Sequence, residues 1–287
     1  MALDGGVQVG IAVPQVFPEG QVDVGLIRRF VARAEELGYH TLWVQEQLIG
    51  GAPLLEPLEL LAYLAALTRR ARLGVAVTIL TTRNPALLAK QVATLDHLAG
   101  GRLTLGVALG GRPAHYPLLG APAEGRVRHF VESLQVMKGL WGVPPTTLQG
   151  HFWTLKGETV EPRPLQQPHP PLWFGGRHPA GLRRAARYAD GWMGAGSTST
   201  EQFRGHVRLL RAALEEGGRD PAAFPIGKRV YLALDDDAAR AERRLRGWFG
   251  ARYGNADLAS QVAVWGSATR CAEGLREVVE GGARVLL

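Results

Sequence analysis

The sequence predicts an α/β protein of the (β/α)8 type, a TIM barrel running as one domain over residues 1–287. Three observations carry that expectation. Short β-rich apolar runs alternate with longer stretches of helical period, and eight such runs can be marked. The runs are apolar along their length rather than alternating, as parallel strands buried on both faces are. The rival fold, an open doubly wound sheet, wants a Gly-x-Gly-x-x-Gly turn after its first strand, where this chain carries 13-VPQVFPEG-20.

Taken in order, the first strand is 7-VQVGIAV-13. A helix follows in which Val24, Ile27, Val31, Ala34 and Leu37 share one face, stopped by Gly38. The second and third strands are 41-TLWV-44 and 72-RLGVAVT-78. Asn84 then caps a helix whose first residue is Pro85, with Leu88, Val92 and Leu95 facing inward and Gly100 ending it. The fourth strand, 102-RLTLGVA-108, precedes a helix marked by Val127, Phe130, Val131, Leu134 and Met137. Residues 142–171, rich in Pro and Gly, read as an inserted hairpin plus loop. The fifth strand, 172-LWF-174, runs into Gly175-Gly176, and His178-Pro179 opens an Arg-rich helix. The remaining strands are 191-GWM-193, 227-GKRVYLAL-234 and 284-RVLL-287, so the eighth helix of the pattern is absent from this sequence.

Composition narrows the function classes. With 46% hydrophobic and 21% charged residues the chain can bury a large core, and no apolar run reaches the ~18 residues of a membrane span. The start, MALDGGVQVGIAV, has no basic segment or long apolar stretch of a secretion signal, so a cytoplasmic location is expected. Cys271 is the single cysteine, which excludes an internal disulfide and a zinc site built on several thiolates; no metal is expected. The net charge of +7 comes mostly from arginines spread over the helices, and Lys90, Lys138, Lys156 and Lys228 are the only lysines. No basic run is interleaved with aromatics at a stacking spacing, so a solvated outer face is expected rather than a specific nucleic-acid surface.

In a (β/α)8 chain the chemistry gathers at the C-terminal ends of the strands. There the sequence places Glu46-Gln47, 76-AVTILTTRNP-85, Gly110-Gly111 with His115 and Tyr116 beyond, and Gly175-Gly176-Arg177-His178. Glycines at a strand-to-helix turn let bare backbone approach a ligand, and the unpaired N–H groups of the helix start suit a phosphate. A plain tight turn is the competing reading of Gly175-Gly176, and a simple cap that of His178. Glu46 can serve as a base or acceptor, or be satisfied by Arg83 or Arg112. His115 is a further acid–base candidate.

The stretches 72-RLGVAVTILTTRNPALLAKQVATLDHLAGGRLTLGVALGG-111, 126-RVRHFVESLQVMKGLW-141, 150-GHFWTL-155, 170-PPLWFGGRHPAGLRRAARYADGWM-193 and 266-GSATRCAEGLREVVEGGARVL-286 closely resemble the bacterial luciferase-like superfamily. That resemblance implies an FMN- or coenzyme F420-dependent oxidoreductase. It puts the cofactor phosphate on Gly175, Gly176 and Arg177, beside His178. It puts the tricyclic ring over Ala76, Val77 and Thr78, near Gly110 and Gly111, with a non-prolyl cis peptide at Ala76-Val77. Relatives often carry an acid–His pair where this chain has Glu46-Gln47, which removes a histidine-dependent proton transfer there.

The implied activity is monooxygenation with reduced FMN and O2, or hydride transfer with coenzyme F420, on a small organic substrate. Glu46 and His115 are the candidate catalytic residues. A non-catalytic flavin-binding protein of the same fold is the alternative. The implied partners are the small-molecule substrate, a separate flavin reductase in the FMN case, and a second copy of the chain in a homodimer. No membrane and no specific nucleic acid are expected.

Overall fold

The computed structural model describes residues 2–3, 6–17, 20–50, 53–110, 113–122 and 124–287. Along the chain run β1 (Ala2–Leu3), β2 (Val7–Ala12), α1 (Val24–Glu36), β3 (Thr41–Val44), α2 (Pro57–Leu67), β4 (Arg72–Ile79), α3 (Pro85–Leu98) and β5 (Leu103–Ala108). Next come α4 (Arg126–Leu140), β6 (Thr147–Gln149), β7 (Thr154–Lys156), β8 (Leu172–Gly175), α5 (Pro179–Tyr188), β9 (Gly191–Gly194) and α6 (Thr200–Glu216). The last elements are β10 (Ile226–Lys228), β11 (Leu232–Leu234), α7 (Ala238–Tyr253), α8 (Leu258–Val262), β12 (Val264–Gly266), α9 (Ala268–Glu280) and β13 (Val285–Leu286). The chain divides into two compact units, one of residues 11–174 and one of residues 1–10 with 175–287.

In the 11–174 unit, β3, β4, β5 and β8 form a parallel sheet in that order, with Trp43 opposite Gly74, Leu73 opposite Leu103 and Leu105 opposite Leu172. Leu42, Leu73, Val75, Leu103, Leu105, Val107 and Leu172 are buried, as expected for strands covered on both faces. Asn84 caps α3 by accepting from the Ala86 and Leu87 N–H groups, with Pro85 in the first turn, and Gly100 ends it in the left-handed region at φ +59°. Residues 142–171 contain the expected hairpin: β6 and β7 pair antiparallel, Thr147 opposite Lys156. The Glu132 carboxylate of α4 fixes its turn, accepting from the His151 N–H at 3.0 Å and the Phe152 N–H at 2.8 Å. The Trp153 indole N–H donates to Ser133 Oγ at 3.1 Å.

The other unit has a parallel sheet ordered β2-β13-β10-β9, with β1 antiparallel on β2. Helices α5 and α6 pack together outside it, and α6 opens with a capping box between Ser199 and Gln202. One expected strand is corrected. The run 227–234 is two strands in two sheets: β10 stops at Lys228, and β11 pairs in parallel with β12. Between them Arg229 N and Val230 N bond to Gly194 O and Leu287 O, after which Val264 N takes Tyr231 O. The apolar pattern misled because Leu232 and Leu234 face outward at 47% and 58% exposure. The core beneath β11 is instead Ala233 with Ala241, Leu245, Phe249 and Ala259.

Candidate active site

Glu46 lies just past the end of β3, and its carboxylate is fully enclosed, at 0% side-chain exposure. Oε1 accepts from the Ile79 N–H at 2.7 Å, and Oε2 from Arg83 Nε at 2.8 Å and also from Nη2. The same guanidinium donates to Glu56 Oε1. The other Glu56 oxygen caps α2, accepting from Leu58 N at 2.6 Å and Glu59 N at 3.0 Å. Burial pushes the Glu46 carboxyl up, against the pull of Arg83, whereas the carboxylates facing Arg83 push its guanidinium up despite burial. The first shift favours a neutral acid and the second an ion pair. We assign the ion pair, because a guanidinium does not give up its proton and every contact between the groups is a charge-assisted hydrogen bond. Of the two arginines the sequence offered to Glu46, Arg83 is therefore the partner found; Arg112 lies outside the described residues. A base role for Glu46 requires it to part from Arg83.

The turn that Glu46 holds follows an irregular stretch of β4. The Ala76-Val77 peptide bond is cis, as the resemblance implied, and the pairing of β4 with β5 shifts register between Val75 and Thr78. Ala76 and Val77 stay half-buried although Val75 and Thr78 on either side are buried. The neighbouring strand makes room with a glycine. A Cβ on Gly106 would lie 2.2 Å from the Val75 carbonyl oxygen and 3.1 Å from Val77 Cγ1. Thr78 Oγ1 is buried and has no hydrogen-bond partner.

Past β5, Gly110 sits at φ +73°, where a Cβ would lie 2.5 Å from Ile79 Cγ2 and 3.2 Å from the Tyr116 hydroxyl oxygen. Tyr116 is buried, donates to Leu109 O at 2.7 Å and is covered by the Arg126 guanidinium 5.6 Å from its ring centre. His115 is half-buried on the short turn before it. Gly111 lies outside the described residues.

In the second unit, Gly175 ends β8 and Gly176 follows at φ +133°, with no atom within 4 Å of its Cβ position. The Gly176 carbonyl accepts from the Trp192 indole N–H at 3.0 Å. This turns the backbone at a conformation that side chains rarely adopt and leaves space beside it. Arg177 is exposed, its Nη1 donating to Ser197 O at 3.4 Å. His178 is the N-cap of α5: its Nδ1 accepts from the Ala180 N–H at 3.3 Å.

One residue at a strand end escaped the sequence reading. Lys228, the last residue of β10, is 2% exposed, and its ammonium donates to Ala195 O, to Thr198 O at 2.9 Å and to Thr198 Oγ1 at 3.0 Å. Burial, and secondarily Arg229, lowers its pKa to about 7. The available signal was its rarity as one of four lysines in a chain whose cations are mostly arginine. Lys228, Ser199, Val230, Trp265, Ser267 and Arg270 are among the residues lining a cavity of about 730 Å³. Among the described residues no group of three His, Cys, Asp or Glu side chains could hold a metal ion, and no helix is long and apolar enough to cross a membrane.

The sequence pattern of the luciferase-like monooxygenase family matches residues 7–261, and the chain belongs to that family. The family includes FMN- and F420-dependent oxidoreductases. An uncharacterized protein of Mycobacterium tuberculosis is 36% identical over 199 residues, which span 69% of this chain and 66% of that protein. An FMNH2-dependent dimethylsulfone monooxygenase of Pseudomonas putida is 30% identical over 191 residues, 62% of this chain and 52% of that enzyme. The chain thus spans between about half and two thirds of the length of these relatives. The solved structure of an F420-dependent secondary alcohol dehydrogenase with an F420–acetone adduct superposes with a TM-score of 0.84 at 21% identity, covering 98% of this chain and 92% of that one. The fold is accordingly the (β/α)8 barrel of the luciferase-like structures.

Proposed function

We propose that the protein is a redox enzyme that binds FMN or coenzyme F420 and moves electrons between it and a small organic substrate. The observation that carries the reading is the interruption in β4. Ala76 and Val77 leave the ladder and stay half-buried between buried Val75 and buried Thr78, with Gly106 on the neighbouring strand clearing the space. A flat ring system needs such a platform of small side chains and backbone. Residues 175–178 of the other unit, taken by themselves, also suit a ligand. An anionic group suits the open space beside Gly176, the Arg177 guanidinium and the start of α5.

In this reading Ala76, Val77 and Thr78 take the tricyclic ring, with Gly110 keeping the next strand end low. Gly175, Gly176 and Arg177 take the phosphate, and His178 caps the helix that faces it. The Glu46–Arg83–Glu56 cluster ties Ile79 to the start of α2, so it holds the end of the platform rigid. His115, the remaining half-buried histidine on the Pro113–His115 turn, is the proposed proton carrier. Bound FMN would supply oxygen chemistry, drawing reduced cofactor from a separate reductase, and bound F420 would supply hydride transfer. The chain itself contributes positioning and water exclusion.

Titrating the purified protein with each cofactor, followed by absorbance and fluorescence, tests this directly. One of the two should bind. Ala76→Phe should stay folded, with a thermal midpoint close to the parent's, and lose at least ~10-fold in affinity, or ~1.4 kcal/mol. A parent protein that binds neither cofactor, or a folded variant with parental affinity, refutes the reading.

A further inference from the structure

We propose that Lys228 is a positioning residue: its charged ammonium holds the Ala195–Thr198 turn in the shape that presents Arg177. The proposal rests on the reading that residues 175–178 receive the cofactor's anionic end. An ammonium has three N–H donors, and Lys228 meets three acceptors, all from four residues of one turn: Ala195 O, Thr198 O and Thr198 Oγ1. The Phe203 ring lies 5.8 Å from Nζ. The turn is closed on itself by Thr198 Oγ1 donating to Ala195 O at 2.7 Å, and its third residue offers Ser197 O to Arg177. Gly196 faces the Tyr231 ring closely enough to exclude a side chain, since a Cβ there would lie 2.6 Å from it. Ser199, next in line, caps α6. The turn is therefore fixed from below by one buried cation, and the backbone oxygen that steadies Arg177 belongs to it.

Removing the charge removes a donor. A neutral amine has two N–H groups for three acceptors, so one of the three bonds that tie the turn to β10 is lost, although Ala195 O keeps the Thr198 hydroxyl and N–H as donors. The lysine's lowered pKa of about 7 puts that change in an accessible range. Several groups face it. Arg229 follows it on the strand, and His206 comes from α6, its own pKa lowered first by burial and then by Lys228 and Arg177. Around the cavity, Glu201, Arg204, Asp236, Arg270 and Glu277 contribute charge, with Arg204 paired to Glu201 and Arg270 to Glu273 and Glu277. His206 therefore titrates below the usual histidine value, and Lys228→Met measured at both pH values separates its contribution from the lysine's.

Linkage gives the sign. Between about pH 7 and the ordinary lysine value of 10.5 the unfolded chain holds a proton on this side chain that the folded chain has lost. Over that window global stability gains from the titration as pH rises, while the turn loosens. A lysine that merely filled the core would not oppose the two.

The experiment is hydrogen exchange on the cofactor-free protein at pH 6.5 and 9, corrected for intrinsic rates, comparing the peptide covering 195–199 with one from α3. Protection at 195–199 should fall at least ~10-fold at the higher pH while α3 keeps its own. Lys228→Met should show the low protection at both pH values, and Lys228→Arg should restore it at both. Affinity for whichever of FMN and F420 binds should follow the same pattern. Unchanged protection of 195–199 across pH and in Lys228→Met overturns the proposal; should Lys228→Met not fold, the two pH values on the parent decide alone. Loosening of the turn in a protein that binds neither cofactor would support the lysine's role and refute the cofactor reading instead.

Discussion

Gly106→Ala probes the feature on which the functional reading depends. The added methyl would sit 2.2 Å from the Val75 carbonyl oxygen and 3.1 Å from Val77 Cγ1. An ordinary carbon–oxygen contact needs at least ~3.2 Å, so the overlap is about 1 Å, and the atom it meets first is backbone rather than the end of a flexible side chain. Either the ladder between β4 and β5 opens or the 75–78 stretch moves by about that distance. Overpacking of this kind destabilises by about 1–3 kcal/mol. A displacement of about 1 Å in a group that positions reactants lowers turnover by about 100-fold. Urea unfolding should therefore show a lower midpoint at unchanged slope, and cofactor titration a weakened complex. Gly247→Ala is the control. It lies in α7 with nothing within 4 Å of the added carbon, so it should stabilise by about 0.5–1 kcal/mol and leave cofactor binding alone. If Gly106→Ala unfolds at the parental midpoint and binds as the parent does, the glycine is not what shapes the platform.

Two further outcomes follow from the site. Arg83→Met leaves Glu46 enclosed without its cation and should lose about 3–5 kcal/mol of stability at pH 8. Burial alone then raises the Glu46 pKa further, so the folded state takes up a proton more readily than the unfolded one, and urea midpoints should recover part of the loss between pH 8 and pH 5; a loss that grows on acidification would show that Glu46 is not the group left stranded. Gly175→Val places a branched side chain at the proposed phosphate contact and should weaken FMN or F420 binding at least ~10-fold in a folded protein, measured by fluorescence titration. Parental affinity in that variant would remove Gly175 from the contact.

How much of this was legible in the sequence depends on how local the cause is. Asn84-Pro85 and Gly100 bound α3 because capping and left-handed turns are decided by a few adjacent residues. The hairpin in 142–171 was legible for the same reason, though not its tie to Glu132. Helix α2 was not read, because PLELLAYLAAL is apolar on nearly every side and its period barely shows. The stripe of α1 held at Ile27, Val31 and Ala34 but not at Val24 and Leu37, which are exposed where the helix ends leave the core. The cis bond at Ala76-Val77 came from family likeness; nothing in the residues RLGVAVT alone asks for it.

Composition and spacing by themselves determined the (β/α)8 order and the glycine pair at the end of β8, because those are written in neighbouring residues; the family came from the likeness of whole stretches to known proteins. Tertiary structure decided what pairs across distance. Glu46 could meet Arg83 or Arg112 on paper, and the fold brings it Arg83, 37 positions along the chain. Gly106 is an unremarked strand residue until the Val75 carbonyl oxygen is found 2.2 Å from its missing side chain. Lys228 looks like one more surface cation until β10 ends inside the protein and three acceptors of one turn close over it. Each of these is an interaction between segments far apart in sequence, whose energy depends on distance and burial, and neither quantity exists until the chain has folded.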